Sequence, residues 1–226
     1  MCGRYSLIAD IQELARQFEF DGSGFDNSPR YNVAPTQSVL TVTHREERQA
    51  EQMRWGLIPS WAKDASIGNR MINARGETVA QKPSFRNALQ RRRCLVLADG
   101  FYEWQKAGKA KRPMRIVLKS GAPFAFAGLW ESWRSPEGET VRSCTIVTTA
   151  ANDLLRPIHE RMPVILPHEL EDFWLDGDVT DSAALTDVLA PYPDEAMDYF
   201  QVSPLVNKAT NNGPDLIVPV GEGLFA

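Results

Sequence analysis

The chain has 226 residues, 43% of them hydrophobic, which suffices for one good core in a single domain spanning 1–226. No stretch approaches the roughly 18 to 20 apolar residues of a membrane span, and no basic segment followed by an apolar run opens the chain. The net charge of -4 argues mildly against nucleic acid as a partner. That charge is uneven, however: Lys82 to Lys119 holds eleven basic residues against Asp99 and Glu103, whereas Pro167 to Phe200 holds ten acidic residues and no Lys or Arg. The two blocks either present a basic face, pair with each other or are simply solvated. Cys2, Cys94 and Cys144 are odd in number and widely spaced, which argues against a disulfide framework and a zinc site. With no phosphate-cradling GxxxxGK[ST] and no HExxH, we expect no metal and no cofactor.

Asp10 is placed to cap a short helix carrying Ile11, Leu14, Ala15 and Phe18 at i, i+3, i+4 and i+7. Asp21 to Pro35 is a loop by composition, although Arg30 to Pro35 is apolar for a linker. Ser38 to Thr43 and Gln52 to Leu57 read as paired strands about a turn at Arg45 to Gln49, with Met53, Trp55 and Leu57 alternating. Gly56 to Lys63 is irregular, Ile72 to Arg75 extended, and Ser84 is placed to cap a helix running through Arg92. Five strands are then predicted at Cys94 to Leu97, Phe101 to Lys106, Met114 to Lys119, Phe124 to Leu129 and Ser143 to Thr148. Asp99-Gly100, Ala107-Gly108, Ser120-Gly121 and Pro136-Glu137-Gly138 separate them, so the expected arrangement is a β-meander. A helical turn at Asn152, a strand at Met162 to Leu166, helices from Pro167 to Leu175 and Ser182 to Ala190, and strands at Tyr199 to Val202 and Leu216 to Val220 complete the chain. The class is α+β, a mainly antiparallel sheet closing into an open barrel or sandwich with peripheral helices.

The start of the chain is the most reactive stretch. Removal of Met1, generally trimmed when residue 2 is small, would leave Cys2 with an α-amine of reference pKa about 7.7 to 8.0 and a thiol near about 8.5. This 1,2-aminothiol condenses with an aldehyde to an imine, on which the sulfur closes a stable five-membered thiazolidine. A frayed terminal cysteine of no function is the plain alternative. Asn73 and Arg75 alternate onto one face of their strand, either into a cleft or as a loop amide and a surface arginine. Glu103 lies in the aromatic run Phe101-Tyr102-Glu103-Trp104, where partial desolvation raises a carboxyl toward a general acid's range, or else it faces outward at an edge. His159 is either a satisfied structural group or a proton carrier. Arg161 is suited to bind a phosphate bidentately or to pair with Glu160.

Met1-Cys2-Gly3-Arg4-Tyr5, Arg30-Tyr31-Asn32-Val33-Ala34-Pro35, Trp55-Gly56-Leu57-Ile58-Pro59-Ser60-Trp61, Ile72-Asn73-Ala74-Arg75-Gly76-Glu77-Thr78, Asp99-Gly100-Phe101-Tyr102-Glu103-Trp104 and His159-Glu160-Arg161-Met162-Pro163 occur in this order. Together they resemble the SOS response-associated peptidase (SRAP) family, with a weaker echo at Val206-Asn207 and Asn211. The resemblance implies a protein that captures the ring-opened aldehyde of an abasic site in single-stranded DNA as a thiazolidine on Cys2. It implies that Asn73 positions the Cys2 amine, that Glu103 shuttles protons, and that His159 assists this transfer and its reversal. It further implies that Arg75 and Arg161 hold flanking phosphates, with Trp61, Arg4 and the segment from Arg86 to Arg93 as further DNA contacts. Some relatives carry a second aromatic where this chain has Ala62, which leaves the wedge beside the lesion unassigned. A monomer working in the cytoplasm, on the nucleoid, is the expected setting. Two other readings stay open: a thiol peptidase with Cys2 as nucleophile, for which Met1 alone would be the leader, and a noncovalent single-strand binder using Trp55, Trp61 and the arginines.

Overall fold

A computed structural model of the chain describes residues 2–25, 28–44 and 46–220. Tyr5–Leu7 forms β1 and Arg30–Val33 forms β2, and the two pair antiparallel, so the segment expected as a loop from Asp21 to Pro35 ends in a strand. Between them lies α1 (Ile11–Gln17), capped as predicted by the Asp10 carboxylate, which accepts from the Gln12 and Glu13 amides. The hairpin of β3 (Ser38–His44) and β4 (Arg48–Trp55) is also as predicted, and Met53, Trp55 and Leu57 are all buried. The strand resumes at Arg48, inside the expected turn, and Arg45 lies outside the described residues.

A 3-10 turn at Ala65–Arg70 leads to β5 (Asn73–Arg75) and the one-turn α2 (Gly76–Val79). Helix α3 (Arg86–Arg91) starts after Phe85 rather than at a Ser84 cap, because the chain is already turned there, with the Phe85 and Arg86 amides both donating to the Lys82 carbonyl. Strands β6 (Arg93–Ala98), β7 (Gly100–Ala107), β8 (Ala110–Leu118), β9 (Phe124–Arg134) and β10 (Thr140–Ala150) follow where predicted, but not as a meander. Only β7–β8 and β9–β10 are hairpins. At Asp99-Gly100 the chain passes between sheets instead of reversing, since the buried Asp99 carboxylate is held by Ser6 Oγ at 2.7 Å, the Ala9 amide at 3.2 Å and Arg115 Nη2 at 3.2 Å.

The expected strand at 162–166 divides at Val164 into β11 (Arg161–Pro163) and β12 (Ile165–Leu166). Helices α4 (Glu171–Leu175) and α5 (Ser182–Asp187) then precede β13 (Met197–Gln201). No final strand forms at 216–220. Pro214–Leu216 is a 3-10 turn and a single bridge joins Val202 to Pro219, since a proline cannot donate to a ladder.

One sheet runs β13-β8-β7-β1-β2 and the other β11-β10-β4-β3-β6-β9-β12, with β5 added parallel to β10. The β9–β10 pairing closes β10-β4-β3-β6-β9 on itself, a five-strand barrel that meets the α+β expectation. Its interior is tight at Gly128, where a Cβ would lie 2.7 Å from Cys94 Sγ and 2.8 Å from Val96 Cγ2. Tyr5 brings the second sheet against the barrel, its ring 5.3 Å from Trp55 and 5.9 Å from Phe126. Among the described residues no helix is long and apolar enough to cross a membrane.

Candidate active site

The sheet β13-β8-β7-β1-β2 fixes the start of the chain. Tyr5 is in register with Phe101 and Ser6 with Gly100, and the Tyr102 amide donates to the Arg4 carbonyl at 2.9 Å. Continuing that antiparallel register draws Cys2 along Glu103-Trp104. From the barrel, β5 is seated on β10 with Asn73 opposite Ile146, and Asn73 Nδ2 donates to the Cys2 carbonyl at 2.8 Å. Asn73 Oδ1 is buried and has no hydrogen-bond partner among the described residues. Residues 71 apart in sequence thus meet where the two sheets adjoin.

Glu103 is 5% exposed between Tyr102 and Trp104. Burial raises its pKa, and the nearby His159 works in the opposite sense. The same burial raises the Cys2 thiol, with the Glu103 carboxylate adding to the rise. Cys2, Glu103 and His159 therefore form one electrostatic group. His159 Nδ1 accepts from the Arg161 amide at 3.0 Å, so a neutral imidazole keeps its proton on Nε2.

Arg161 opens β11. Its Nη2 donates to the Thr148 carbonyl at 2.7 Å and to Glu77 Oε2 at 3.0 Å, and its Nη1 to Glu77 Oε1. Its carboxylate partner is thus Glu77, not Glu160: neighbours along a strand point to opposite sides, whereas α2 carries Glu77 over β10. Arg161 holds the Glu77 carboxyl below its ordinary range, and Arg75 adds to this from the exposed position before α2.

The remaining expected contacts are dispersed. Arg4 is half-buried, donating through Nη1 to Asn32 Oδ1 and the Val206 carbonyl, each at 2.8 Å, with its guanidinium 5.9 Å from the Trp104 ring. Trp61 is 60% exposed on the irregular segment. Arg86 is exposed at the start of α3, which packs on α5, β6 and β9. The basic and acidic blocks lie side by side, β8 pairing with β13 and the Arg93 guanidinium donating to the Trp174 and Asp176 carbonyls. Sequence reasoning missed Asn32, whose amide donates to the Val206, Lys208 and Asn211 carbonyls. The only signal for it was its place in the motif Arg30 to Pro35. It also missed a cleft beside His159 formed with Trp104, Lys106 and Lys111, which depends on a strand register that composition does not carry.

A family model described as SOS response associated peptidase (SRAP) matches residues 1–209. The abasic site processing protein YoqW of Bacillus subtilis is 48% identical over 221 residues, covering 96% of this chain and 99% of its own. The abasic site processing protein HMCES of Xenopus tropicalis is 34% identical over 233 residues, covering 88% of this chain and 69% of its own. A solved structure of a protein from Bacteroides thetaiotaomicron superposes with a TM-score of 0.87 at 28% identity, over 97% of this chain and 100% of that one.

Proposed function

The chain belongs to the SOS response-associated peptidase family, that of the abasic site processing proteins, and on this premise we propose that it traps abasic sites in single-stranded DNA as a covalent thiazolidine on Cys2. The observation that carries the reading is the meeting of Cys2, Asn73, Glu103 and His159 from four separate parts of the chain. In the full chain the Cys2 nitrogen is an amide, so the reaction starts with removal of Met1.

Glu103, protonated more readily than an ordinary glutamate, gives its proton to the sugar ring oxygen as the hemiacetal opens to the aldehyde. The Cys2 amine adds to that carbon. The Glu103 carboxylate takes up the C1 hydroxyl proton released on opening and passes it to the carbinolamine hydroxyl, which leaves as water to give the protonated imine. The thiol adds to the imine carbon while its proton returns to the Glu103 carboxylate and the nitrogen keeps its own. One C–N and one C–S bond form and one water is released. Asn73, on the Cys2 carbonyl, sets the direction of the amine. His159, with its proton on Nε2, stabilises the Glu103 carboxylate and serves the reverse reaction. Arg75 and Arg161 take phosphates and Trp61 stacks on a base, in a protein acting as a single-domain monomer on nucleoid DNA in the cytoplasm.

A thiol peptidase would use the same Cys2 as its nucleophile, and the two readings part on whether an abasic-DNA adduct forms. The reading is tested by intact mass of the purified protein before and after incubation with single-stranded DNA bearing one abasic site, without reductant. We expect a parent mass lacking Met1 and an adduct equal to protein plus oligonucleotide minus water. A heat-stable, full-yield adduct from Cys2→Ser, or none from a protein with free Cys2, overturns it.

A further inference from the structure

A cleft of about 450 Å³ adjoins the candidate active site, lined by Trp104, Lys106 and Lys111 from the β7–β8 hairpin and by Arg156, His159 and Glu160 from the approach to β11. Arg161 takes no part in it, its guanidinium being turned to Glu77 and Thr148. Lys106 stands directly across from Lys111 in the hairpin register, and Trp104 shares a face of β7 with Lys106 by strand alternation.

Like charges directly opposite in an antiparallel pair repel. Both lysines are exposed, and among the described residues neither has a carboxylate partner to relieve that repulsion. Among the described residues Arg156 pairs only with Asp153, at 2.9 Å and with both side chains largely in solvent, an association that an incoming anion readily replaces. Three cations thus face a single carboxylate, Glu160, in a recess that shares His159 with the group at Cys2.

Resting on the reading that the aldehyde reacts between Cys2 and Glu103, the geometry points to this cleft as a phosphodiester subsite for the strand on one side of the lesion. Two successive phosphates lie at Lys106 and Lys111, Arg156 closes the rim, and Trp104 meets the intervening nucleoside. The strand then passes His159, and Arg75 and Arg161 serve its other side. Charge and an aromatic surface recognise the backbone and not the base, so this subsite reads no sequence.

The test is Lys106→Gln/Lys111→Gln in the otherwise intact protein; both side chains are exposed, so the fold is not at stake. Binding of an undamaged single-stranded oligonucleotide is followed across salt concentration. Each phosphate contact contributes about 0.7 to the slope of log K against log salt, so losing two should lower its magnitude by about 1.4. Capture is then compared on two oligonucleotides with the abasic site near the 5′ or the 3′ end, so that the strand extends to one side only. The double variant should slow capture on one of them by fivefold or more and leave the other unchanged. An unaltered salt slope, or equal slowing on both oligonucleotides, overturns the subsite. Should the unsubstituted protein form no adduct with either, the covalent reading fails, and the salt slope on undamaged DNA still decides the cleft.

Discussion

Glu103→Gln removes one proton and little else. The side chain is 5% exposed, burial raises its pKa, and His159 opposes the rise, so at any pH more of it carries its proton than a solvated glutamate would. Positioned acid–base assistance is worth about 10² to 10⁴ in rate, or about 2.7 to 5.4 kcal/mol at 1.36 kcal/mol per decade. Single-turnover capture of an abasic oligonucleotide should slow by that factor while the adduct mass stays the same. The pH profile separates this role from a structural one. Capture by the unsubstituted protein requires a free amine and a protonated carboxyl. Its rate therefore rises below the Glu103 pKa, levels off between the two, and falls above the pKa of the amine. The variant should rise until the amine is free and then stay level. Stability carries the matching sign. With the folded pKa above the unfolded one, the contribution is fully present below the unfolded value and lost as pH rises through the folded value. The variant should therefore lose less stability than the unsubstituted protein as pH rises upward from the ordinary glutamate pKa. Capture at the unsubstituted rate, or a falling alkaline limb that survives in Glu103→Gln, would refute the reasoning.

Asn73→Ala removes the 2.8 Å donor to the Cys2 carbonyl; a hydrogen bond of about 0.5 to 1.5 kcal/mol predicts capture roughly 2- to 12-fold slower in single-turnover assays. Arg161→Ala leaves Glu77 and the Thr148 carbonyl without their donor, so single-strand affinity should fall and the Glu77 carboxyl should titrate upward, toward its ordinary value, by NMR. Stability from Glu77 is present above the unfolded carboxyl pKa and lost as pH falls through the depressed one, so this acid-side loss should shrink in the variant; its size is small because the Glu77 side chain is 52% exposed. His159→Ala should change how fast a preformed crosslink exchanges onto fresh abasic DNA, and an unchanged rate removes His159 from the reverse step. Gly128→Ala should cost about 1 to 3 kcal/mol in urea unfolding, since its Cβ would press on Cys94 Sγ and Val96 Cγ2, and a neutral result would mean that the barrel is looser there than the 2.7 Å approach implies.

Hydrophobic alternation and turn residues locate most strands, because both are local. They do not say which strands pair. The five consecutive strands from Arg93 to Ala150 were expected as a meander because each gap contains glycine. What sends β6 and β7 into different sheets is the Asp99 carboxylate, held by Ser6, Ala9 and Arg115 from well outside the turn. β1 was invisible for a related reason: three residues, Tyr5–Leu7, are too few to display a period, and their strand character comes from β2 and β7 on either side. At the site, motif order singled out Asn73, Glu103 and His159 before any geometry. Partner choice was not legible, as Arg161 illustrates: its nearest acid in sequence points away and a carboxylate 84 residues distant takes its place.

Arg4 marks the difference between a residue that touches DNA and one that lets another do so. Chain ends fray, and a frayed aminothiol loses the advantage that a fixed near-attack geometry confers. Here the first residues are tied at several points. The Arg4 carbonyl takes the Tyr102 amide, the Cys2 carbonyl takes Asn73, and the Arg4 guanidinium reaches Asn32 and the Val206 carbonyl. Asn32 in turn collects the Val206, Lys208 and Asn211 carbonyls, so a tail two hundred residues away is fastened to the same strand edge. This accounts for the motif echo at Val206-Asn207 and Asn211. Those residues are the far half of a clasp whose near half is Arg4. The Arg4 guanidinium, bonded to a side-chain carbonyl and a backbone carbonyl, ties the strand that carries Cys2 to the tail and so holds Cys2 in place.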